Sequence, residues 1–193
     1  MPFLRSLLAL LLTTLAVAQA PRPNIVLIVV DDLGWRDLGC QGSDYFLTPQ
    51  IDALAASGTR FTNAYANAPN CAPSRACLMS GQYAPRHGVY TVGSSARGRS
   101  EDRLLQPTPN TEDLRDDVVT LAEALRGCGY ATAHFGKWHL GPDPTTQGFE
   151  RNVAGNRAGS PPGGHFSPYR NPQLADGPEG EYLTDRLTDE AIL

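Results

Sequence analysis

The sequence predicts an α/β protein, a three-layer sandwich with a mostly parallel central sheet, and two observations support this fold class. Residues 24–30 form a continuous, largely β-branched apolar run, which is typical of a strand buried on both faces of a parallel sheet. Later in the chain, Thr120 and Glu123 form a capping box that begins a helix, and a strand pattern follows over residues 130–135. Alternation of strands and helices favours a sheet covered by helices.

The composition is that of an ordinary globular domain, with 193 residues, 41% hydrophobic and 19% charged. A formal net charge of −4 argues against a nucleic-acid partner. Residues 1–20 combine Arg5, an apolar run and small-residue cleavage sites, so we expect a signal peptide followed by a domain over residues 21–193. The apolar run is shorter than the roughly 20 residues that span a bilayer, so we expect no stable membrane anchor. Export to the periplasm or the extracellular space follows from this interpretation.

The predicted central strand ends directly in Asp31 and Asp32. Ligand sites in open α/β sheets gather beyond the carboxyl ends of the strands, and two adjacent carboxylates there need a cation. No cysteine or histidine cluster lies beside them, so one Ca²⁺ ion fits better than a transition metal. The alternative is an aspartate that caps a turn.

The next elements lead toward a cysteine. Thr48 is predicted to cap a helix that ends at Gly58 and covers the sheet. Its expected apolar face consists of Ile51, Leu54 and Ala55. Residues 60–66 alternate weakly and predict a short strand or extended run that leads to Cys71.

Cys71 opens the sequence Cys-Ala-Pro-Ser-Arg. Pro73 suits the first position of a helix, which would direct the N–H groups of residues 74–76 toward residue 71 and create an anion site. Arg75 follows Cys71 by one helical turn, and its guanidinium group suits sulfate or phosphate. Cys71 is therefore a candidate nucleophile, and the alternatives are a buried thiol or a disulfide with Cys77.

The helix that begins at the capping box is expected to end near Gly127 or Gly129. Its expected apolar face consists of Leu121, Ala124 and Leu125. The following strand leads into Gly-Lys-Trp-His-Leu-Gly, where an extended backbone would place Lys137 and His139 on one side. The alternatives are a solvated amine and a packing histidine, and His134 within the strand is expected to be structural.

The remaining segments predict loops and one helix. Residues 89–110 and 141–180 are rich in Gly and Pro and predict surface loops. Apolar residues at four-residue spacing from Leu183 predict an amphipathic C-terminal helix.

Two stretches resemble the signatures of the type I sulfatases, which belong to the alkaline-phosphatase-like superfamily. The first is Cys-x-Pro-Ser-Arg with its later Ser-Gly, and the second runs from Gly129 to Gly141. The resemblance implies that a maturation enzyme converts Cys71 to formylglycine, whose hydrated aldehyde is the nucleophile and a ligand of the metal. It also implies that Lys137 contacts the sulfate oxygens and that His139 contacts the formylglycine hydroxyl.

The expected function is hydrolysis of sulfate esters of small molecules or carbohydrates. The alternatives are a phosphomonoester or phosphonate hydrolase of the same superfamily, and a non-catalytic sulfate-binding remnant. Full-length sulfatases are longer, and residues 21–193 contain no counterpart of their second metal-ligand segment or of a further His and Lys. We therefore expect residues 21–193 to be the N-terminal part of a catalytic domain and to be inactive alone.

Overall fold

The computed structural model describes residues 22–193, so the predicted signal peptide lies outside the described residues. The chain divides into two units, Met1–Leu33 and Gly34–Leu193. Among the described residues, no helix has both the length and the apolar character needed to cross a membrane.

The described part of the first unit contains no helix or strand, and residues 31–32 form a turn. The prediction of a buried central strand over residues 24–30 is therefore wrong for this structure. The apolar side chains are exposed, with Val26 at 83% and Ile28 at 75%. An apolar run becomes a buried strand only when neighbouring strands and covering helices are present. Within the described residues, no strand pairs with this run.

The described sheet has two short strands, β1 (Ala133–Phe135) and β2 (Arg151–Val153), which pair in parallel. Their register places Ala133 opposite Arg151 and Phe135 opposite Val153. β1 confirms the predicted strand, although it is shorter than expected. β2 lies inside the segment that the sequence predicts to be a loop. The sequence does not reveal this strand, because three residues are too few to show a strand's periodicity.

Five helices lie in the second unit. They are α1 (Pro49–Ser57), α2 (Cys71–Ser80), α3 (Ala84–His87), α4 (Leu121–Gly127) and α5 (Leu183–Ile192). Short 3-10 helices cover Gly39–Gln41, Ser100–Asp102 and Pro144–Gln147. Residues 60–66 contain turns and no strand, so the strand reading of that segment is wrong.

Helix α1 forms where the sequence predicts it, but its contacts differ from the prediction. Ile51 is 41% exposed and Leu54 is 66% exposed, so the helix does not cover the sheet. Thr48 makes no capping bond; its hydroxyl accepts from the Gly39 N–H at 2.9 Å instead. The helix therefore packs against the 3-10 helix at Gly39–Gln41.

Helix α4 begins with the predicted capping box. Thr120 Oγ1 accepts from the Glu123 N–H at 3.2 Å, and Glu123 Oε2 accepts from the Thr120 N–H at 2.7 Å. The predicted apolar face is wrong, because Ala122 is buried whereas Leu121 is 39% exposed. Helix α4 packs against α2, and a small alanine permits that close approach.

Two apolar clusters form the core of the second unit. The first joins α2 to the segment after β1 and consists of Ala72, Ala76, Val89, Leu114, Val118, Trp138 and Leu140. The second consists of Val153, Ala154, Tyr169, Leu174 and Leu183. Helix α5, which confirms the predicted amphipathic helix, contacts β1 and adds Leu187 to the second cluster.

Candidate active site

Cys71 is the first residue of α2 and is partly buried. The prediction that the helix starts at Pro73 is wrong by two residues, because Asn70 is extended and its carbonyl already accepts from the Ser74 N–H at 3.1 Å. The N–H groups of residues 74–76 therefore do not form the anion site. The donors without an intrahelical acceptor are those of residues 70–72, since Pro73 has no N–H. The positive end of the helix still lies at Cys71.

Arg75 connects the two sequence motifs. Its Nη1 atom donates a hydrogen bond to the main-chain carbonyl of Lys137 at 2.6 Å, across 62 positions of sequence. This contact places the segment that carries Lys137 next to the first turn of α2. The structure therefore brings together two motifs that are distant in the sequence.

The segment after β1 is not extended, contrary to the prediction. Gly136 has φ 88° and His139 has φ 62°, both in the left-handed region. Alternation along a strand therefore does not describe the relation between Lys137 and His139. Both side chains are partly buried.

The loop after β2 holds His139 in position. The His139 N–H donates to the Asn156 carbonyl at 3.0 Å. Gly159 lies against the imidazole ring, since a Cβ at residue 159 would be 2.6 Å from His139 Cε1. Sequence analysis missed both contacts, and only the glycines of that segment hinted at a close approach.

His134, in β1, packs among aromatic side chains near the candidate site. Its ring makes edge contacts with Trp138 and Phe149, with centroids 5.4 and 5.3 Å apart. Burial, and then the positive charge of Arg75, lower the pKa of His134 to about 4. His134 is therefore neutral at physiological pH, which avoids a second positive charge beside Arg75.

Cys77, on the other side of α2, forms no disulfide with Cys71. Its Sγ lies 3.3 Å from Nε2 of the buried His87, whose Nδ1 accepts from the Val89 N–H at 3.1 Å. Because Nδ1 is an acceptor, the neutral ring carries its proton on Nε2, facing the sulfur. Burial raises the pKa of Cys77 and lowers that of His87, so both are neutral.

Asp31 and Asp32 belong to the first unit and are exposed. Asp32 has φ 55°, which aspartate tolerates better than most residues do. Within the described residues, no group of three or more His, Cys, Asp or Glu side chains is arranged to hold a metal.

A family model described as Sulfatase matches residues 23–192. The chain belongs to the sulfatase family. Among curated relatives, this sulfatase chain is 39% identical to N-acetylgalactosamine-6-sulfatase of Sus scrofa over 171 residues, which is 86% of this chain and 30% of that protein. It is 44% identical to arylsulfatase A of Homo sapiens over 155 residues, 76% of this chain and 27% of that protein. The chain thus spans less than a third of the length of these relatives.

Solved structures show the same fold. The crystal structure of Ps i-CgsB matches with a TM-score of 0.67 and 31% sequence identity. The match covers 88% of this sulfatase chain and 40% of the Ps i-CgsB chain. The structure of BT4656 in complex with its substrate D-glucosamine-2-N,6-O-disulfate matches with a TM-score of 0.62 and 28% sequence identity. That match covers 89% of this chain and 30% of the BT4656 chain. These matches confirm the predicted α/β class and its alkaline-phosphatase-like fold.

Proposed function

We propose that this protein hydrolyses sulfate esters with a nucleophile derived from Cys71. The observation that carries the proposal is the 2.6 Å hydrogen bond from Arg75 to the Lys137 carbonyl. That bond joins the cysteine motif to the lysine and histidine motif, and membership of the sulfatase family supports the same reaction.

The residues of the chain have separate roles in this proposal. The Arg75 guanidinium and the Lys137 ammonium bind the sulfate oxygens and stabilise the charge that develops in the transition state. The N-terminus of α2 adds a positive potential at residue 71. His139, held by Asn156 and Gly159, transfers a proton in the reaction. Formylglycine at position 71 would supply a hydrated aldehyde, whose hydroxyl is a better nucleophile than an ordinary side-chain alcohol.

Calcium fits the donor chemistry of Asp31 and Asp32, because both offer hard carboxylate oxygens. Ca²⁺ commonly takes about 6–8 oxygen ligands, so two carboxylates supply part of a coordination shell. We propose that Asp31 and Asp32 are ligands of one Ca²⁺ ion. The ion would offset the negative charge of the sulfate group.

The substrate class and location also belong to the proposal. Relatives named N-acetylgalactosamine-6-sulfatase and a structural neighbour with a sulfated glucosamine support a sulfated carbohydrate as substrate. The leader-like residues 1–20 support export to the periplasm or extracellular space, with modification of Cys71 by a maturation enzyme.

Peptide mass spectrometry and paired substrates test the proposal in the complete gene product from its native host. The peptide that contains residue 71 should have lost the cysteine sulfur and should react with a hydrazide probe. The protein should cleave an aryl sulfate faster than the matching aryl phosphate, and Cys71→Ala should abolish turnover. Cys40→Ala is the matched control, since Cys40 is also partly buried but lies outside the motif.

An unmodified thiol at residue 71 would contradict the formylglycine assignment. Faster cleavage of the phosphate would favour the phosphomonoester alternative. Sulfate binding without turnover of either ester would favour a non-catalytic protein.

A further inference from the structure

Two asparagine side chains, Asn156 and Asn171, form a hydrogen-bond network in the segment that holds His139. Asn156 Nδ2 donates to Asn171 Oδ1 at 3.1 Å. Both amides also donate to the Ala154 carbonyl, from Asn156 Nδ2 at 3.2 Å and from Asn171 Nδ2 at 3.0 Å. The network therefore joins residues 154–156, directly after β2, to the loop that precedes α5.

The orientation of both amides follows from their main-chain partners. Asn156 Oδ1 accepts from the Ala158 N–H at 2.7 Å, and Asn171 Oδ1 accepts from the Gln173 N–H at 2.8 Å. An exchange of oxygen and nitrogen in either amide would bring a donor against a donor. Both amides are therefore held in one orientation, each with its oxygen accepting and its nitrogen donating.

Three residues at this network have a left-handed backbone although none of them is glycine. φ is 62° at His139, 70° at Ala154 and 50° at Arg170, the residue before Asn171. Such conformations persist in non-glycine residues only where surrounding contacts hold them, and they cluster at functional sites. The two amides supply contacts of this kind, because both bind the Ala154 carbonyl.

The segment that the network holds contacts His139 at two points. The His139 N–H donates to the Asn156 carbonyl at 3.0 Å. The imidazole ring lies against Gly159, and the bond from the Ala158 N–H to Asn156 Oδ1 fixes the chain that leads to that glycine. A shift of Asn156 would therefore displace both the backbone and the ring of His139.

We propose that Asn171 is a positioning residue for His139, acting through Asn156, which lies 15 positions earlier in the chain. The inference rests on the proposed function, because it concerns the proton transfer assigned to His139. A displaced ring slows that transfer, whereas the sulfate binding assigned to Arg75 and Lys137 remains. Loss of the Asn171 side chain should therefore lower kcat and leave KM nearly unchanged.

The first test is the NMR spectrum of the complete gene product with ¹³C-labelled histidine. The signals of the His139 ring are assigned by their loss in His139→Gln. We expect Asn171→Ala to shift these signals and to leave those of His87 unchanged. His87 contacts Cys77 Sγ and the Val89 N–H, away from the network, so it reports whether the rest of the fold is intact.

The second test is steady-state kinetics on an aryl sulfate. Asn171→Ala should lower kcat about tenfold, with KM within about twofold of the wild-type value. In a His139→Gln background, the same substitution should change kcat by less than about twofold, because a positioning residue then has no group to position. Ser167→Ala is the matched control. It removes a hydrogen bond of the same loop, from Ser167 Oγ to the Gly177 carbonyl at 2.7 Å, and should change neither kcat nor the His139 signals.

Unchanged His139 signals in folded Asn171→Ala would overturn the proposal. If Asn171→Ala does not fold, Asn171→Asp decides the question, because it keeps the acceptor for Asn156 and loses only the donor to Ala154. Unchanged His139 signals in that variant would overturn the proposal equally.

Two kinetic results would also overturn it: an unchanged kcat in Asn171→Ala, and an equal loss of kcat in the wild-type and His139→Gln backgrounds. If the wild-type protein cleaves no sulfate ester, the proposed function fails. The His139 signals still decide whether Asn171 positions the ring, because NMR requires no turnover.

Discussion

Gly159→Ala tests how closely the position of His139 controls catalysis. The added Cβ would lie 2.6 Å from Cε1 and 2.9 Å from Nε2 of His139. Ordinary contact begins near 3.4 Å. The ring would therefore move by about 0.8 Å, the difference between 3.4 and 2.6 Å. A misplacement of about 1 Å in a catalytic group can cost about 10²-fold in rate, or about 2.7 kcal/mol.

The assay is kcat/KM for an aryl sulfate, measured on the complete gene product. Gly127→Ala is the matched control, because nothing lies within 4 Å of its added Cβ. Urea unfolding should show that both variants remain folded. A folded Gly159→Ala variant whose kcat/KM lies within about twofold of the value for the wild-type protein would refute the reasoning.

Three further predictions address the contacts around this site. Arg75→Ala removes the bond to the Lys137 carbonyl and should lower the free energy of unfolding by about 1.5–3 kcal/mol in urea titrations. Arg75→Lys should lose nearly as much, because an ammonium group does not reproduce the guanidinium geometry, and an unchanged free energy of unfolding in Arg75→Ala would contradict a stabilising role for this bond. His134 is neutral when folded, and the unfolded chain takes up a proton below its ordinary pKa of 6.5, so stability should fall by about 3 kcal/mol from pH 6.5 to about 4. Urea titrations at both pH values should show a flatter dependence for His134→Phe, and equal slopes would argue against this histidine as the source. Gly148→Ala should lower the free energy of unfolding more than Gly164→Ala in the same assay. The two glycines have similar φ, 93° and 91°, but only a Cβ at residue 148 would meet the backbone of α4, at 2.5 Å from the Glu123 nitrogen. Equal losses of free energy would show that the positive φ alone causes the destabilisation.

Sequence patterns predicted the elements that local chemistry determines. The capping box at Thr120 needs only residues within one turn, and it forms as expected. The sequence predicts the start of α2 two residues late, because Pro73 is the stronger local signal, although asparagine, as at position 70, is also a favoured residue before a helix. The Asn70 side chain does not cap; its Nδ2 donates to Thr91 Oγ1 at 3.3 Å. The partner of that bond lies 21 residues away, and no local pattern contains it.

Features that depend on distant parts of the chain were not predictable. The run at residues 24–30 has the composition of a buried strand, yet pairing needs partner strands that its own residues cannot specify. β2 is recognisable as a strand only from its pairing with β1, and the loop after β2 is recognisable as the support of His139 only from its contact with that residue. For the candidate site, the motifs predicted which residues are present, while the link from Arg75 to the main chain at residue 137 required the fold.

That link has different consequences at its two ends. Arg75 contributes a side chain to it, whereas position 137 contributes only a carbonyl, which every amino acid has. Substitution of Lys137 therefore changes the charge at the site and leaves the link between the motifs in place. Over evolutionary time, position 137 could change its chemistry without loosening the scaffold, but position 75 could not. A descendant that lost its lysine would keep the link between the two motifs after losing one of the two cations that we propose to bind sulfate.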